Sequence, residues 1–374
     1  MNILHVYKTF LNDTFGGVEQ AIYQMAKAKD PRFKHTVLSL SKDEPDTGTM
    51  HDGINNLCYK ENFSIASNSI SFSLLRDFNK IAQQADVIHY HFPWPFADVL
   101  HLFWRIKKPS VVTYHSDIVR QQQLLFFYRP LMNRFLSSVD RIVATSPNYL
   151  ASSPTLQKYK NKVSSIPIGL NRESYPIPTA EQYSYWRTCF GTRFFLFIGV
   201  LRYYKGLHIL LDALRNTTFP VVIVGTGPLE DELKAYATQL NLTHVHFLGR
   251  LADTDKMALL DLCLSLVFPS HLRSEAFGIS LLEGAMAGKP LISAEIGTGT
   301  SYINVHGETG LVVPPNDSGA LRDAMQFIWE HPQERAVMGE NAAARYQDLF
   351  TGDRMVAEYG KIYEELVSSQ QVLS

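Results

Sequence analysis

FFLFIGVLRYYKGLHILLDAL, residues 194–214, decides the fold. Phe194 to Ile198 is apolar without a break, whereas a strand with one wet face would alternate apolar with polar. A strand buried on both faces belongs to a parallel sheet, and parallel neighbours need crossover helices. The helical run His208 to Leu214 follows directly, after a loop carrying Arg202, Lys205 and Gly206. The same alternation recurs outward. In the second half, further strands are expected at Val221–Val224, His244–Phe247, Cys263–Val267 and Leu291–Ser293. In the first half they are expected at Ile3–Val6, Thr36–Leu40, Val87–Tyr90, Ser110–Tyr114 and Arg141–Thr145. Short apolar strands separated by helices predict an α/β chain with two doubly wound domains. The proline-rich stretch from Ile166 to Pro178 reads as their linker, because a residue before proline favours extended chain.

Length agrees with two domains, since 374 residues divide at roughly 100–200 per domain. With 45% hydrophobic and 19% charged residues the composition is that of a soluble globular chain. No apolar run approaches the roughly 18 residues of a membrane span. The opening MNILHVYKTF lacks the charge, apolar core and cleavage site of a signal peptide. Three scattered cysteines, Cys58, Cys189 and Cys263, fit a reducing compartment, so a cytoplasmic location is expected. Residues 1–190 hold 21 Lys and Arg against 15 Asp and Glu, while residues 191–374 hold 14 against 21. A basic first half can meet anions or an anionic membrane surface. The segment Arg120 to Leu136, with large aromatics beside Arg129 and Arg134, fits either a helix lying on a bilayer or a core helix with snorkelling arginines. No nucleic-acid partner is expected.

Ligands of open α/β sheets bind beyond the carboxyl ends of the strands, in this case in a cleft between the two domains. Chemistry is therefore sought in the loops after strands. Gly16 and Gly17 precede a helix and leave its amides open to phosphate, although a plain turn explains them too. His115 follows the strand Ser110–Tyr114 and can exchange hydrogen bonds with a ligand near neutral pH, with Asp117 beside it as a cap or base. Arg202 and Lys205 can grip a diphosphate, one as a fork and one as a point charge. Gly225 and Gly227 repeat the theme and allow either close approach to a nucleotide or a tight turn, and Arg250 follows another strand. Asp253 and Asp255 precede a helix and are read as caps rather than metal ligands. No His/Cys cluster with zinc spacing is present, so no metal site is assigned.

The stretch Ser274 to Ser293 places Glu275 and Glu283 eight residues apart around an apolar run. Glutamate is seldom buried unless paired. A helix starting near Ile279 sets free amides at Phe277, Gly278 and Ile279, with Glu275 before that end and Glu283 about one turn inside. Gly288 and Pro290 stop it.

Taken together, Gly16-Gly17-Val18-Glu19, His115-Ser116-Asp117, Arg202 with Lys205-Gly206, and Glu275-x7-Glu283 enclosing Phe277-Gly278 resemble glycosyltransferase family 4, retaining enzymes of the GT-B architecture. The resemblance spans nearly the whole chain. Glu295 to Ser301, with Asn304 and His306 to Gly310, looks like bacterial mannosyltransferases of polysaccharide and O-antigen assembly. The resemblance implies domains at 1–170 and 171–352, with a final helix, 353–374, crossing back to the first domain through Met355, Tyr359, Ile362 and Leu366. It implies that Gly16 and Gly17 approach the donor diphosphate and that Arg202 and Lys205 neutralise it. Glu283 would hold the ribose, Glu275 with the amides of Phe277, Gly278 and Ile279 the sugar and phosphate, and His115 a sugar hydroxyl. The expected reaction moves a hexose, mannose from GDP-mannose, onto a lipid-linked saccharide, with no cofactor and no metal required. The alternatives are a UDP-sugar donor, a sugar-nucleotide epimerase, or a non-enzymatic sugar-nucleotide-binding protein.

Overall fold

The computed structural model describes residues 1–10, 16–27, 30–43, 47–65, 68–118 and 122–373. Thr14, Phe15 and Arg120 lie outside these. The chain divides into two compact units, Met1–Gly169 with Gly352–Ser374, and Leu170–Thr351.

The first unit contains strands β1 (Asn2–Val6), β2 (Lys34–Ser41), β3 (Thr47–His51), β4 (Ile54–Lys60), β5 (Phe63–Ile65), β6 (Asn68–Ile70), β7 (Val87–Phe92), β8 (Ser110–Tyr114), β9 (Arg141–Ala144) and β10 (Val163–Ser165). Eight of them form one sheet in the order β10-β9-β8-β7-β1-β2-β4-β3. All neighbours are parallel except β3 and β4, which form an antiparallel edge. β5 and β6 make a separate antiparallel hairpin. The chain winds outward from β1 to one side, then returns to place β7 on the other side of β1. That reversal opens a crevice at the strand carboxyl ends. The final helix, Gly352–Leu373, belongs to this unit, and its Met355, Tyr359, Ile362 and Tyr363 are buried. Leu366 is only half-buried; Tyr363, one turn earlier, takes the deeper place.

The second unit holds β11 (Phe195–Ile198), β12 (Val221–Val224), β13 (Val245–Gly249), β14 (Ser265–Phe268), β15 (Leu291–Ala294) and β16 (Gly310–Val313). They form one parallel sheet in the order β13-β12-β11-β14-β15-β16. Every residue of β11, β12, β14 and β15 is buried, as unbroken apolar runs require of strands covered on both faces. Here the chain reverses between β11 and β14, so the loops after those two strands share one crevice. The stretch around Asn304 is structural. Its Nδ2 lies 3.0 Å from the carbonyl of Leu311, 2.9 Å from Ser293 Oγ and 3.3 Å from the carbonyl of Leu291, fastening β15 to β16.

The linker also differs from plain extended chain. Leu170 bridges to Thr351, a 3-10 turn spans Arg172–Ser174, and Thr179 with Gln182 forms a capping box at the next helix, Ala180–Phe190. Asp253 and Asp255 are not caps, because Ala252 occupies that position without a side-chain bond. Asp253 instead pairs with Lys256, and Asp255 accepts from Trp186 Nε1 at 2.9 Å and Gln182 Nε2 at 3.1 Å. Among the described residues no helix is long and apolar enough to cross a membrane.

Candidate active site

The reversal of the second sheet brings together the two motifs that carry charge. Lys205 ends the short 3-10 turn Tyr203–Lys205 after β11, and Glu275 lies in the loop after β14. Lys205 Nζ donates to Glu275 Oε2 at 2.5 Å, with side chains only 12% and 11% exposed. Ser270 Oγ donates to the same oxygen at 3.3 Å. The ammonium also sits 4.8 Å from the centre of the Phe268 ring. Burial pulls the lysine pKa down, but Glu275 and Tyr204 beside it outweigh this and leave it raised, so the site holds a full cation. Arg202, at the start of the same turn, is exposed.

Behind Glu275 the helix Ile279–Met286 starts at Gly278, where φ is +99°. Glycine suits this left-handed position, and an added Cβ would lie 3.3 Å from the Phe268 ring. The helix has no side-chain cap, so its first amides are left to solvent or a ligand. Ala276 O accepts from Gly299 N at 2.8 Å, which fixes the preceding loop from behind.

Glu283 lies inside the helix and is 4% exposed. Its partner is Lys256, whose Nζ is 3.2 Å from Glu283 Oε1 and 3.0 Å from Asp253 Oδ1, with the Tyr175 ring 5.4 Å away. Burial lowers the pKa of Lys256, and the two carboxylates more than reverse it. Sequence reasoning missed Lys256, which sits three residues after Asp253 on a helix read only for its caps. It also missed His271. That side chain is 5% exposed, and both of its ring nitrogens are buried without a protein partner among the described residues. It lies against the Lys205 loop, since a Cβ on Gly206 would be 3.3 Å from His271 Nδ1.

Gly225 and Gly227 are explained by the protein itself. A Cβ on Gly225 would fall 2.0 Å from the carbonyl oxygen of Gly199, and one on Gly227 2.5 Å from the backbone of Leu201. They let the loop after β12 lie directly on the loop after β11. Arg250 is exposed just beyond β13.

In the first unit, Gly17 opens the helix Gly17–Lys27 and Gly16 precedes it. Glu19 turns back toward this end, so that a Cβ on Gly16 would be 2.6 Å from Glu19 Oε2, and Thr9 Oγ1 donates to Glu19 Oε1 at 2.7 Å. His115 follows β8 and is 5% exposed. Burial pushes its pKa down to about 3, so the ring is neutral rather than poised near neutrality. Asp117 is tied to its own unit by hydroxyl donors. Tyr114 Oη donates to it at 3.0 Å and Ser153 Oγ at 2.8 Å, and the next helix described is Gln122–Ser138. In that helix Phe126 and Phe127 are 71% and 78% exposed, whereas Met132, Phe135 and Leu136 are buried.

Residues 15–174 match the family described as Glycosyltransferase Family 4, and residues 190–345 the family described as Glycosyl transferases group 1. The D-rhamnosyltransferase WbpZ of Pseudomonas aeruginosa is 56% identical over 352 residues, 94% of this chain and 92% of that protein. The O-antigen chain mannosyltransferase C of Escherichia coli is 48% identical over 371 residues, 99% of this chain and 100% of that one. Among solved structures, Anabaena Alr3699/HepE in complex with UDP-glucose has a TM-score of 0.77 at 23% identity, covering 98% of this chain and 100% of the other. At that identity the likeness speaks for the fold.

Proposed function

Since the chain belongs to glycosyltransferase family 4, with the two Rossmann-like domains of the GT-B class, we propose that it transfers a hexose of the manno series, with retention, from a GDP-sugar to a lipid-linked saccharide in O-antigen assembly. The observation that carries this reading is the Lys205–Glu275 pair beside the uncapped helix at Gly278. A nucleoside diphosphate leaves readily where cations and amides are already arranged for its charge. In this reading Arg202, Lys205, the amides of Phe277, Gly278 and Ile279, and the glycines Gly16 and Gly17 receive the diphosphate. Glu275, released from Lys205, addresses sugar hydroxyls, as does His115. Glu283, held by Lys256, binds the ribose, and His271 offers two further hydrogen-bonding atoms. The sugar C1–O bond to the diphosphate breaks, and the acceptor oxygen bonds to C1 on the same face. The acceptor's proton passes to the departing diphosphate oxygen. No step calls for a metal or a cofactor.

The 56% identical rhamnosyltransferase favours a second donor. D-rhamnose is 6-deoxymannose, so the two sugars differ by one hydroxyl. A thermal-shift and calorimetry panel of GDP-mannose, GDP-D-rhamnose, UDP-glucose, UDP-N-acetylglucosamine and NAD tests the reading. A selective GDP-sugar response is expected, and selective stabilisation by NAD or a UDP-sugar contradicts it. For the acceptor side, the exposed Phe126 and Phe127 next to exposed Arg129 and Arg134 support docking on an anionic bilayer.

A further inference from the structure

One face of the first sheet carries an unbroken line of imidazoles. His35 Nδ1 meets His5 Nε2 at 2.9 Å, His5 Nδ1 meets His91 Nε2 at 3.0 Å, and His91 Nδ1 meets His115 Nε2 at 2.9 Å. The rings come from β2, β1, β7 and the residue after β8, so the line crosses the sheet. His5, His91 and His115 are 0%, 1% and 5% exposed. His89 stacks on His91 at 4.4 Å and is held separately, by Tyr363 Oη at 2.7 Å and Thr113 Oγ1 at 2.6 Å. Thr113 in turn bonds Tyr359 of the final helix at 2.7 Å.

The cluster is arranged for hydrogen bonds rather than for a metal. Ligand nitrogens of His5, His89 and His91 lie within 4.8 Å of one another. A zinc ion with bonds of about 2.0–2.1 Å would need them about 3.3 Å apart and convergent. The His89 and His91 rings are nearly parallel, at 21°, so their in-plane lone pairs do not converge.

The proton count then restricts the line to two states. A neutral imidazole has one N–H, and each of the three contacts needs one hydrogen between its nitrogens. Only two arrangements satisfy all three: every ring protonated at Nε2, or every ring at Nδ1. The outer nitrogen of His35, Nε2, separates them, because it is buried with no partner among the described residues. In the first state it is an orphaned N–H; in the second it is a bare lone pair. Orphaned buried donors are the rarer and costlier of the two. We propose that His35, His5 and His91 are positioning residues that lock His115 in the Nδ1–H form, making its outer nitrogen a standing donor to a hydroxyl oxygen of the transferred sugar. What His115 faces rests on the proposed function; the locked tautomer does not.

The surroundings keep the line uncharged. Burial, reinforced by the neighbouring rings, holds His5, His89 and His91 well below the ordinary histidine range. At His35 burial dominates and brings the pKa to about 4, with Asp30 raising it and the terminal ammonium of Met1 lowering it. Tyr7 lies edge-on to His91 and Phe33 lies tilted against His35, each with ring centres 6.4 Å apart.

The test uses the full chain with 15N-labelled histidine, reading each ring's tautomer from its two nitrogen shifts between pH 5.5 and 8 without donor. All four rings are expected in the Nδ1–H form and none to titrate. A ring in the Nε2–H form, an imidazolium at pH 7.5, or loss of these signals to tightly bound zinc would overturn the lock. His35→Asp places an acceptor-only carboxylate at the far end and obliges His5 to donate from Nε2, which should flip His115 to the Nε2–H form across three rings. His35→Asn, which can donate, should leave His115 unchanged. A folded His35→Asp chain with His115 still in the Nδ1–H form would refute the relay. In the flipped chain the nucleotide-sugar should bind about tenfold more weakly while the free nucleoside diphosphate binds as before. Unchanged nucleotide-sugar affinity in that chain would refute the donor role of His115 and leave the lock intact.

Discussion

Replacing Lys205 with methionine keeps the stem over Phe268 and Tyr204 and removes only the charge. Two losses follow, and they separate. Glu275 remains 11% exposed with only the Ser270 hydroxyl among the contacts described above. At 2.5 Å the gross attraction is about 7 kcal/mol for an effective dielectric of about 20, most of which only offsets desolvation. Breaking such a pair by removing one partner costs about 3 kcal/mol, because the remaining charge is stranded. Neutralising the stranded partner, in Lys205→Met with Glu275→Gln, should restore most of that stability. Turnover behaves otherwise. Losing one preorganised group that receives a leaving charge lowers kcat by about 10²–10³, or roughly 3–4 kcal/mol. The assay is thermal unfolding of the single and double variants beside steady-state transfer, measured well below the melting transition. The expected double variant is stable and still inactive. Recovery of turnover together with stability would show that Lys205 serves only the fold.

Lys256→Met strands a more deeply buried carboxylate, Glu283 at 4% exposure, and should cost about 3–5 kcal/mol by chemical denaturation, largely recovered by adding Glu283→Gln. Acid should destabilise the chain through its buried histidines. His101 and His115 are held by burial at about 4 and about 3, below the 6.5 of an unfolded histidine. Between those values the unfolded chain binds protons and the folded one does not. Stability is therefore fully present above about pH 6.5 and falls by about 1.4 kcal/mol per pH unit for each ring as pH drops toward 4. A flat denaturation midpoint from pH 7 to 4.5 would refute those neutral rings. Phe126→Glu with Phe127→Glu should abolish flotation with anionic vesicles while leaving the melting temperature within about 2 °C, since both rings are exposed. Undiminished flotation would move the membrane contact elsewhere.

The parallel strands were legible because burial on both faces forces unbroken apolar runs, as in Phe195–Ile198 and Val221–Val224. The edge escaped that rule: β4 reads INNLCYK, half polar, because only alternate residues are buried, and its partner β3 is antiparallel. Glu275 and Glu283 were legible as a frame around a helix start, which the structure places at Ile279. Their lysines were only half legible. Lys205 stood in a basic loop after a strand, whereas Lys256 reaches Glu283 across 27 positions from a helix whose acids looked like caps. Glycine carries no mark of what approaches it, so Gly225 and Gly227 read equally as room for a nucleotide or as a tight turn, and the close approach of the loop after β11 could not be seen in them. The imidazole line had one local signal, His91 with its neighbour His89 on the same face of β7, but His35, His5 and His115 join His91 only through strand order.

The most direct measurement of the central claim incubates the chain with GDP-mannose or GDP-D-rhamnose and a lipid-linked saccharide, then reads the new linkage by NMR. The account predicts transfer of one sugar with its anomeric configuration retained and release of GDP. An inverted linkage, or transfer from UDP-glucose in preference to either GDP-sugar, would contradict it.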